Sequence, residues 1–474
     1  MTKVFFKTFG CRSNLYDTQV MMSKIQDYCI IQDESEADII VINSCTVTNK
    51  ADREVRSYAR KYTNKGKKVI FTGCGVKHLG KDLFQKGLVH SVFAHSHKED
   101  IKAILQIPQK VFLPREKTSK YVDSTIFPQI VGKVRAFIKI QEGCNFSCSY
   151  CIIPSVRGMA RSFSEEHILT QIKILASKNV SEVILTGTNI GSYGIDTKTH
   201  IADLLQKIHD IHGISRIRLG SLEPSQIDEK FLQVLKLEKI ERHLHIALQH
   251  TSPEMLKIMN RKNTFPSDLE LFTRLANEGF SLGTDYIIGH YGESEEIFYE
   301  AFENLKRLPL THIHPFIYSP RTGTASARNT QKLISIRGDI AKKRLKQIEF
   351  IVKEKNLQFR KQHSNIPLKV LIEGQKNLID SQNNETKSYF VGLDQYFNKV
   401  FVPCKLVPLS LQDSANTESY SHKNFSHKNN FQGDKSLYQK DLSHINKNEL
   451  RGKWVEVSNY TIETNNFAKD YKIL

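Results

Sequence analysis

Between Arg135 and Ser319 one pattern recurs six times: a short apolar run of strand character, followed by a stretch with helical spacing. The runs are RAFIKIQ from 135, SEVILTGTN from 181, ISRIRLGS from 214, RHLHIALQ from 242, FSLGTDYIIG from 280 and HIHPFIYS from 312, with helical patterns such as SEEHILTQIKILASKN between them. Short buried strands joined by helices have to run parallel, because each crossover returns the chain to the same edge. A complete β/α barrel repeats this unit eight times. Six repeats therefore predict an open, partial (β/α)6 barrel whose lateral gap admits a macromolecule, and an open doubly wound sheet fits the same count.

The segment before it, from Lys3 to about Gln109, alternates in the same way. KVFFKTFG, ADIIVINS and KKVIFTG are strand-like, and DREVRSYARKYTN has helical spacing with Asp52 near its start. After the repeats comes a basic helix: Arg337 to Lys361 holds nine Lys or Arg against three Asp or Glu, with Ile348, Ile351 and Val352 as a packing stripe. The tail reads as short strands, LKVLIEG, KSYFVGLD, NKVFVP and KWVEVSN, which suit a small β-barrel. These patterns divide the α/β chain into an N-terminal parallel-sheet domain over 1–110, a linker over 111–132 and a barrel domain over 133–335. A connecting helix over 336–365 and a tail domain over 366–474 follow, the latter carrying a polar, partly repetitive insertion at about 409–448 that is expected to be disordered.

The cysteines fall on this framework in two trios. Cys11, Cys45 and Cys74 each end a predicted parallel strand, and the carboxyl ends of such strands form one rim where ligands bind. A lone cysteine is ordinarily a small buried hydrophobe, and Cys29 and Cys404 are read that way. Three of three at strand ends point instead to ligation. Cys144, Cys148 and Cys151, in EGCNFSCSYCIIP, follow the first strand of the repeats at the spacing C-x3-C-x2-C. A zinc ribbon needs a second C-x2-C pair, which is missing. Three thiolates on a four-iron cluster leave one iron free for a small molecule, so the set looks unfinished because a cofactor completes it.

No stretch reaches the ~18 apolar residues of a membrane helix, so a cytoplasmic protein with no membrane partner is expected, in a compartment that keeps thiols reduced. The net charge of +18 favours a polyanionic partner. No Gly-x-Ser-x-Gly elbow, Walker loop or His-Glu-x-x-His helix is present, and no catalytic side chain is assigned. In ERHLHIALQH, His243, His245 and Gln249 share one strand face, which reads as barrel lining with Gln249 near a cofactor rather than as a metal site. Glu223, at the end of the third strand, is either a cofactor contact or a cap of the next helix.

At Cys144, Cys148 and Cys151, with Tyr150 before the last cysteine, the chain resembles the radical S-adenosylmethionine (SAM) superfamily. The resemblance implies that SAM chelates the open iron, and that Gly187 and Thr188 in LTGTNIGSYG receive its amino group. The order of domains, with FGCRSN, VINSCTVTNKADREVRS, TGCG, LQHTSPEMLKIMNR, DYIIGHYGES and FIYSPRTGTASA, resembles the methylthiotransferase family over nearly the full chain. That implies two 4Fe-4S clusters, the second held by Cys11, Cys45 and Cys74. It also implies SAM contacts at Tyr150, Gly187, Thr188, Glu223 and Gln249, an external electron donor, a sulfur donor, and a terminal RNA-binding TRAM-like domain for tRNA. Of three subclasses, acting on isopentenyladenosine in tRNA, threonylcarbamoyladenosine in tRNA or a ribosomal protein aspartate, CTVTNKADREVRS most resembles the second. LQHTS stands where Gln-Ser-Gly is usual, and His290 and Tyr291 stand where Phe-Pro is common. The rival from another class is a non-enzymatic RNA-binding protein stabilised by zinc on its cysteine trios.

Overall fold

The computed structural model describes residues 1–115, 134–328, 333–379, 384–406 and 450–474. The chain forms two compact units, one extending to Val352 and the other continuing from Lys353 to the C-terminus. The polar insertion expected at about 409–448 and most of the expected linker lie outside the described residues.

The first unit opens with six strands: β1 (Lys3–Thr8), β2 (Cys29–Ile30), β3 (Ile39–Ser44), β4 (Lys68–Gly73), β5 (Ser91–Phe93) and β6 (Phe112–Leu113). They pair in the order β2-β1-β3-β4-β5-β6, all parallel. Every residue of β3 is buried, as a strand covered on both faces requires. Ile40, Ile42, Val69 and Phe71 pack on one side against Val55 and Ala59 of the helix Asn49–Thr63, whereas Val41, Ile70 and Phe93 meet Met21 and Ile104 on the other. That helix starts where Thr48 accepts a hydrogen bond from the Ala51 amide, with Asp52 in its first turn and Arg60 and Lys61 in its last, matching its dipole. Two expectations change here. Phe112 and Leu113, assigned to the linker, extend the sheet, and Cys29, expected as a packing residue, is exposed in edge strand β2.

The repeats follow. After β7 (Arg135–Lys139), the short strands β8 (Gln141–Glu142) and β9 (Arg161–Ser162) pair antiparallel and pinch off the loop that carries Cys144, Cys148 and Cys151. Next come β10 (Glu182–Thr186), β11 (Arg216–Leu219), β12 (His243–His245), β13 (Ser281–Ile288) and β14 (His312–Ile317). β7, β10 and β11 pair in parallel, as do β12, β13 and β14, and the bridges Ile217–Ile240 and Leu222–Ile246 join the two groups. Spatial order thus follows sequence order, with none of the reversal that makes the switch point of a doubly wound sheet. The partial barrel is the correct alternative. Val183, Leu185, Ile217 and Leu219 pack outward on helices. The opposite face is charged: Glu182 pairs with Arg218 at 2.8 Å and with Arg135 and Arg216 at 3.5 Å.

The helix Gly338–Gln362 buries Ile348 and Val352, with Ile351 partly covered, in the core of the first unit, which is the predicted stripe. From Lys353 the chain belongs to the second unit. That unit is a curled mixed sheet of β15 (Leu368–Ile379), β16 (Thr386–Leu393), β17 (Lys399–Pro403), β18 (Trp454–Val457), β19 (Tyr460–Ile462), β20 (Asn466–Ala468) and β21 (Lys472–Ile473), in the order β19-β20-β17-β16-β15-β18-β21. It takes the form of a half-barrel around Val370, Ile372, Val400, Val402 and Val455. Cys404 lies against this core, as expected of a packing residue. No helix among the described residues is long and apolar enough to cross a membrane.

Candidate active site

Cys45 and Cys74 follow immediately on β3 and β4, and Cys11 lies three residues past the end of β1, so the parallel register delivers all three to one rim. Gly10 makes the close approach possible. Its φ is +118°, and a Cβ there would lie 2.3 Å from Cys45 Cβ. Burial pushes the Cys45 thiol up to about 12, and the charges of Cys74 and Cys11 add to the shift, so the three sulfurs sense one another. Such a set ionises together only when a cation draws the thiolates in.

The second trio is built by the β8–β9 pair. Gly143, at φ +79°, sits so close to the Met159 carbonyl that a Cβ would be 2.0 Å from it, and the Cys144 amide donates to the Gly158 carbonyl at 3.0 Å. Across the loop, the Ser149 amide donates to Met259 O at 2.9 Å and Asn260 Nδ2 to Ser147 O at 2.8 Å. Donors point at the sulfurs: Arg261 Nη1 lies 3.7 Å from Cys148 Sγ and Asn189 Nδ2 lies 4.0 Å from Cys144 Sγ. Burial raises the Cys151 thiol to about 12, with Cys148 and Cys144 contributing.

Arg157 ties the trios together. It ends the short helix Ile153–Arg157 that follows Cys151, and is 2% exposed. Its Nε donates to Cys74 Sγ at 3.2 Å, one Nη to Asn14 Oδ1 at 2.7 Å and Asp17 Oδ2 at 2.8 Å, and the other to Glu142, which precedes Gly143. Cys74 also packs on Ile152, the neighbour of Cys151. Lys98 and Lys139 each reach Asp17 Oδ1 at 2.7 Å, and Arg161 reaches Glu142 at 2.9 Å. Burial opposes charge on Asp17, but Lys139, Lys98 and Arg157 hold its carboxyl well below the usual range. Four cations therefore share two carboxylates beside Cys74.

The residues expected around SAM lie as follows. Tyr150 packs among Met255, Met259 and Ile287. The Gly187 carbonyl accepts from Ser13 Oγ at 3.3 Å, and Thr188 Oγ1 accepts from the Gly143 amide at 3.2 Å. Gln141 Oε1 accepts from the amides of Thr188 and Asn189 at 3.2 and 2.9 Å, while its Nε2 donates to Gly143 O at 2.7 Å. Glu223 stands at the N-cap position of the short turn Pro224–Gln226, but its side chain makes no capping bond; it pairs with Arg261 at 2.9 Å, and burial raises its carboxyl although Arg261 counteracts this. Gln249 adopts a left-handed φ of +67° and bridges to Tyr286 of β13, its amide donating to Asp285 O at 2.9 Å. Sequence reasoning missed Gln141, Arg157 and Arg261. Gln141 ends the run RAFIKIQ, Arg261 ends LQHTSPEMLKIMNR and Arg157 lies three residues past EGCNFSCSYCIIP, but no spacing reveals their partners.

The unusual residues are built in. His290, fully buried, bonds Ser326 Oγ at 2.9 Å, which reaches Ser149 Oγ at 2.8 Å, so it braces the cysteine loop. His250 lies 3.2 Å from Glu293 and stacks on Tyr286. Two further motifs lock together: Arg321, in the segment after β14, donates to Asn49 and Thr46 at 2.7 Å each and pairs with Asp52 at 2.5 Å, all three from CTVTNKADREVRS.

Residues 3–94 match a family described as Uncharacterized protein family UPF0004, and residues 138–305 match the Radical SAM superfamily. A protein of Helicobacter pylori (strain J99) named "Putative methylthiotransferase" is 52% identical over 402 residues, 84% of this chain and 93% of the relative. The Threonylcarbamoyladenosine tRNA methylthiotransferase MtaB of Aquifex aeolicus (strain VF5) is 34% identical, over 80% of this chain and 94% of its own. This chain belongs to the radical SAM methylthiotransferase family. As a radical SAM methylthiotransferase it is an enzyme whose family chemistry uses SAM and a four-iron cluster. Among solved structures, the radical S-adenosylmethionine methyltransferase TsrM of Kitasatospora setae shares the fold, with a TM-score of 0.52 at 15% identity over 80% of this chain and 81% of that one.

Proposed function

We propose that this methylthiotransferase adds a methylthio group to C2 of N6-threonylcarbamoyladenosine at position 37 of tRNA. The observation that carries this reading is the contact between the trios: Cys74 lies on Ile152 beside Cys151, with Arg157 bonded to its sulfur. Cys144, Cys148 and Cys151 would hold one four-iron cluster and, with it, SAM. Cys11, Cys45 and Cys74 would hold the second, where the sulfur to be transferred resides. Four cations around two carboxylates leave a surplus of two positive charges beside Cys74, and an iron–thiolate assembly is anionic, so the donor set and its surroundings fit that group. Bound SAM and a reduced cluster supply one-electron chemistry able to remove hydrogen from an unactivated carbon, which no side chain offers.

The chain's own residues position and shield. Gln141 clamps the Gly187–Thr188 turn to the cysteine loop, so these two walls of the SAM site move as one. Arg261 spans Glu223 and Cys148, directing positive charge at the ligating sulfur. Tyr150 and the methionines behind it keep water from the loop. The choice of threonylcarbamoyladenosine rests on CTVTNKADREVRS and on the Aquifex relative, and the lock between that segment and Arg321 supports a role for it near the barrel mouth.

Mass analysis of nucleosides from tRNA of cells with and without the gene tests the substrate. Loss of 2-methylthio-N6-threonylcarbamoyladenosine with accumulation of its unmethylthiolated precursor is expected. Loss of the isopentenyladenosine derivative instead would transfer the enzyme to that subclass, and unchanged tRNA would direct the search to ribosomal protein.

A further inference from the structure

His245 ends β12, Asp285 lies in the middle of β13 and His314 in β14, three adjacent parallel strands of the barrel. Their side chains meet on one wall. Asp285 Oδ1 is 3.1 Å from His245 Nε2 and 3.6 Å from His314 Nδ1, and the three potential ligand atoms lie within 4.8 Å of one another. The sequence pattern HLH contains only His245 of this set, because the other two residues come from neighbouring strands.

His245 and His314 both face the Asp285 carboxylate as ion-pair partners. His245 Nε2 is buried and has no hydrogen-bond partner despite its nearness to the carboxylate, so it is out of line for sharing a proton. His314 Nδ1 is beyond hydrogen-bond reach. Two imidazole nitrogens and a carboxylate oxygen thus converge on one wall, with both rings at ion-pair distance from the carboxylate. Divalent zinc binds such ligands at roughly 2.0–2.2 Å in tetrahedral array, which sets ligand atoms roughly 3.3 Å apart; the two distances to Asp285, 3.1 and 3.6 Å, bracket that spacing, and the two ring nitrogens lie within 4.8 Å of each other.

The backbone beneath is shaped to suit. Position 283, paired with His245 across the sheet, is glycine, and a Cβ there would sit 3.0 Å from His245 Nδ1, 3.1 Å from His243 Cε1 and 3.2 Å from His312 Cβ. Only glycine leaves the rings where they are. The set is also accessible: His314 is 59% exposed, so an ion would enter from the open side of the barrel and keep a coordination position free on that side. The same wall carries Gln249, whose amide donates to the Asp285 carbonyl.

We infer that His245, Asp285 and His314 form a binding site for a divalent first-row cation of the zinc class, separate from both cysteine trios. The imidazole and carboxylate ligands select that class over magnesium or calcium, which prefer all-oxygen sites. The open position would take an oxygen ligand from whatever occupies the barrel.

The test uses cluster-loaded full-length protein, treated with chelator, dialysed against micromolar zinc(II) and analysed for zinc, iron and sulfide together. One zinc per chain in excess of the iron is expected, with X-ray absorption at the zinc edge showing nitrogen and oxygen neighbours. His314→Ala alters an exposed residue, and Asp285→Asn keeps the side-chain shape; each should weaken zinc binding at least tenfold while iron and sulfide stay at the wild-type level, which also reports correct folding. Absence of zinc from cluster-loaded protein, equal zinc in both variants, or sulfur neighbours at the zinc edge would each overturn the assignment.

Discussion

A chain in which Cys11, Cys45 and Cys74 are all alanine is expected to cleave SAM reductively to 5'-deoxyadenosine at a rate within about threefold of wild type, while methylthiolation falls at least about a thousandfold. The three residues stand at the ends of strands in a sheet of their own, β1 to β6, whereas the loop carrying Cys144, Cys148 and Cys151 is fixed by contacts to Met259, Asn260, Gly158 and Gln141. Removing the first trio takes away one sulfur contact of Arg157 but leaves those braces in place. On the proposed assignment, cleavage would need only an electron and SAM at the second trio, whereas product would also need a sulfur held close to the substrate carbon. Equal loss of both activities, in a variant that keeps iron on the second trio, would mean that the first trio does not act in sulfur transfer alone.

Arg157→Met should lower folding stability by about 3–5 kcal/mol, because it breaks a buried ion network by removing one partner. Asp17 and Glu142 remain, each at 3% exposure or less, and the Oδ2 and Oε1 atoms that Arg157 served lose their donors. Lys98 and Lys139 already serve Asp17 Oδ1, and Arg161 already serves Glu142 Oε2. Arg157→Lys should recover only part of the loss, since an ammonium cannot fork between Cys74 Sγ, Asn14, Asp17 and Glu142. Denaturant unfolding under anaerobic conditions measures both. A loss below about 1 kcal/mol for the methionine variant would show that the network is not the joint between the sheet and the barrel.

Much of this architecture was legible in the sequence for a simple reason: parallel strands bury both faces, so β3 and β10 appear as continuous apolar runs, and a cysteine directly after such a run has to lie on the rim. The order of the barrel strands was not legible, since periodicity does not state which strand lies beside which; the bridges at Ile217–Ile240 and Leu222–Ile246 decide it. Phe112–Leu113 is too short to show a period and reads as linker, and Cys29 reads as a packing residue because a two-residue edge strand carries no pattern. At the site, thiol positions follow from spacing, but Arg157, Arg261 and Gln141 act through partners far along the chain. Glu223 was a candidate cap or cofactor contact, and only the pairing with Arg261 shows that its side chain does not cap.

The central claim, that two cysteine trios hold two four-iron clusters in adjacent loops, is tested most directly by counting iron and sulfide in anaerobically reconstituted protein. Wild type should carry about eight of each per chain, and replacing either Cys11, Cys45 and Cys74 or Cys144, Cys148 and Cys151 with alanine should leave about four. A wild-type count near four, or a colourless chain with zinc in place of iron, would contradict it.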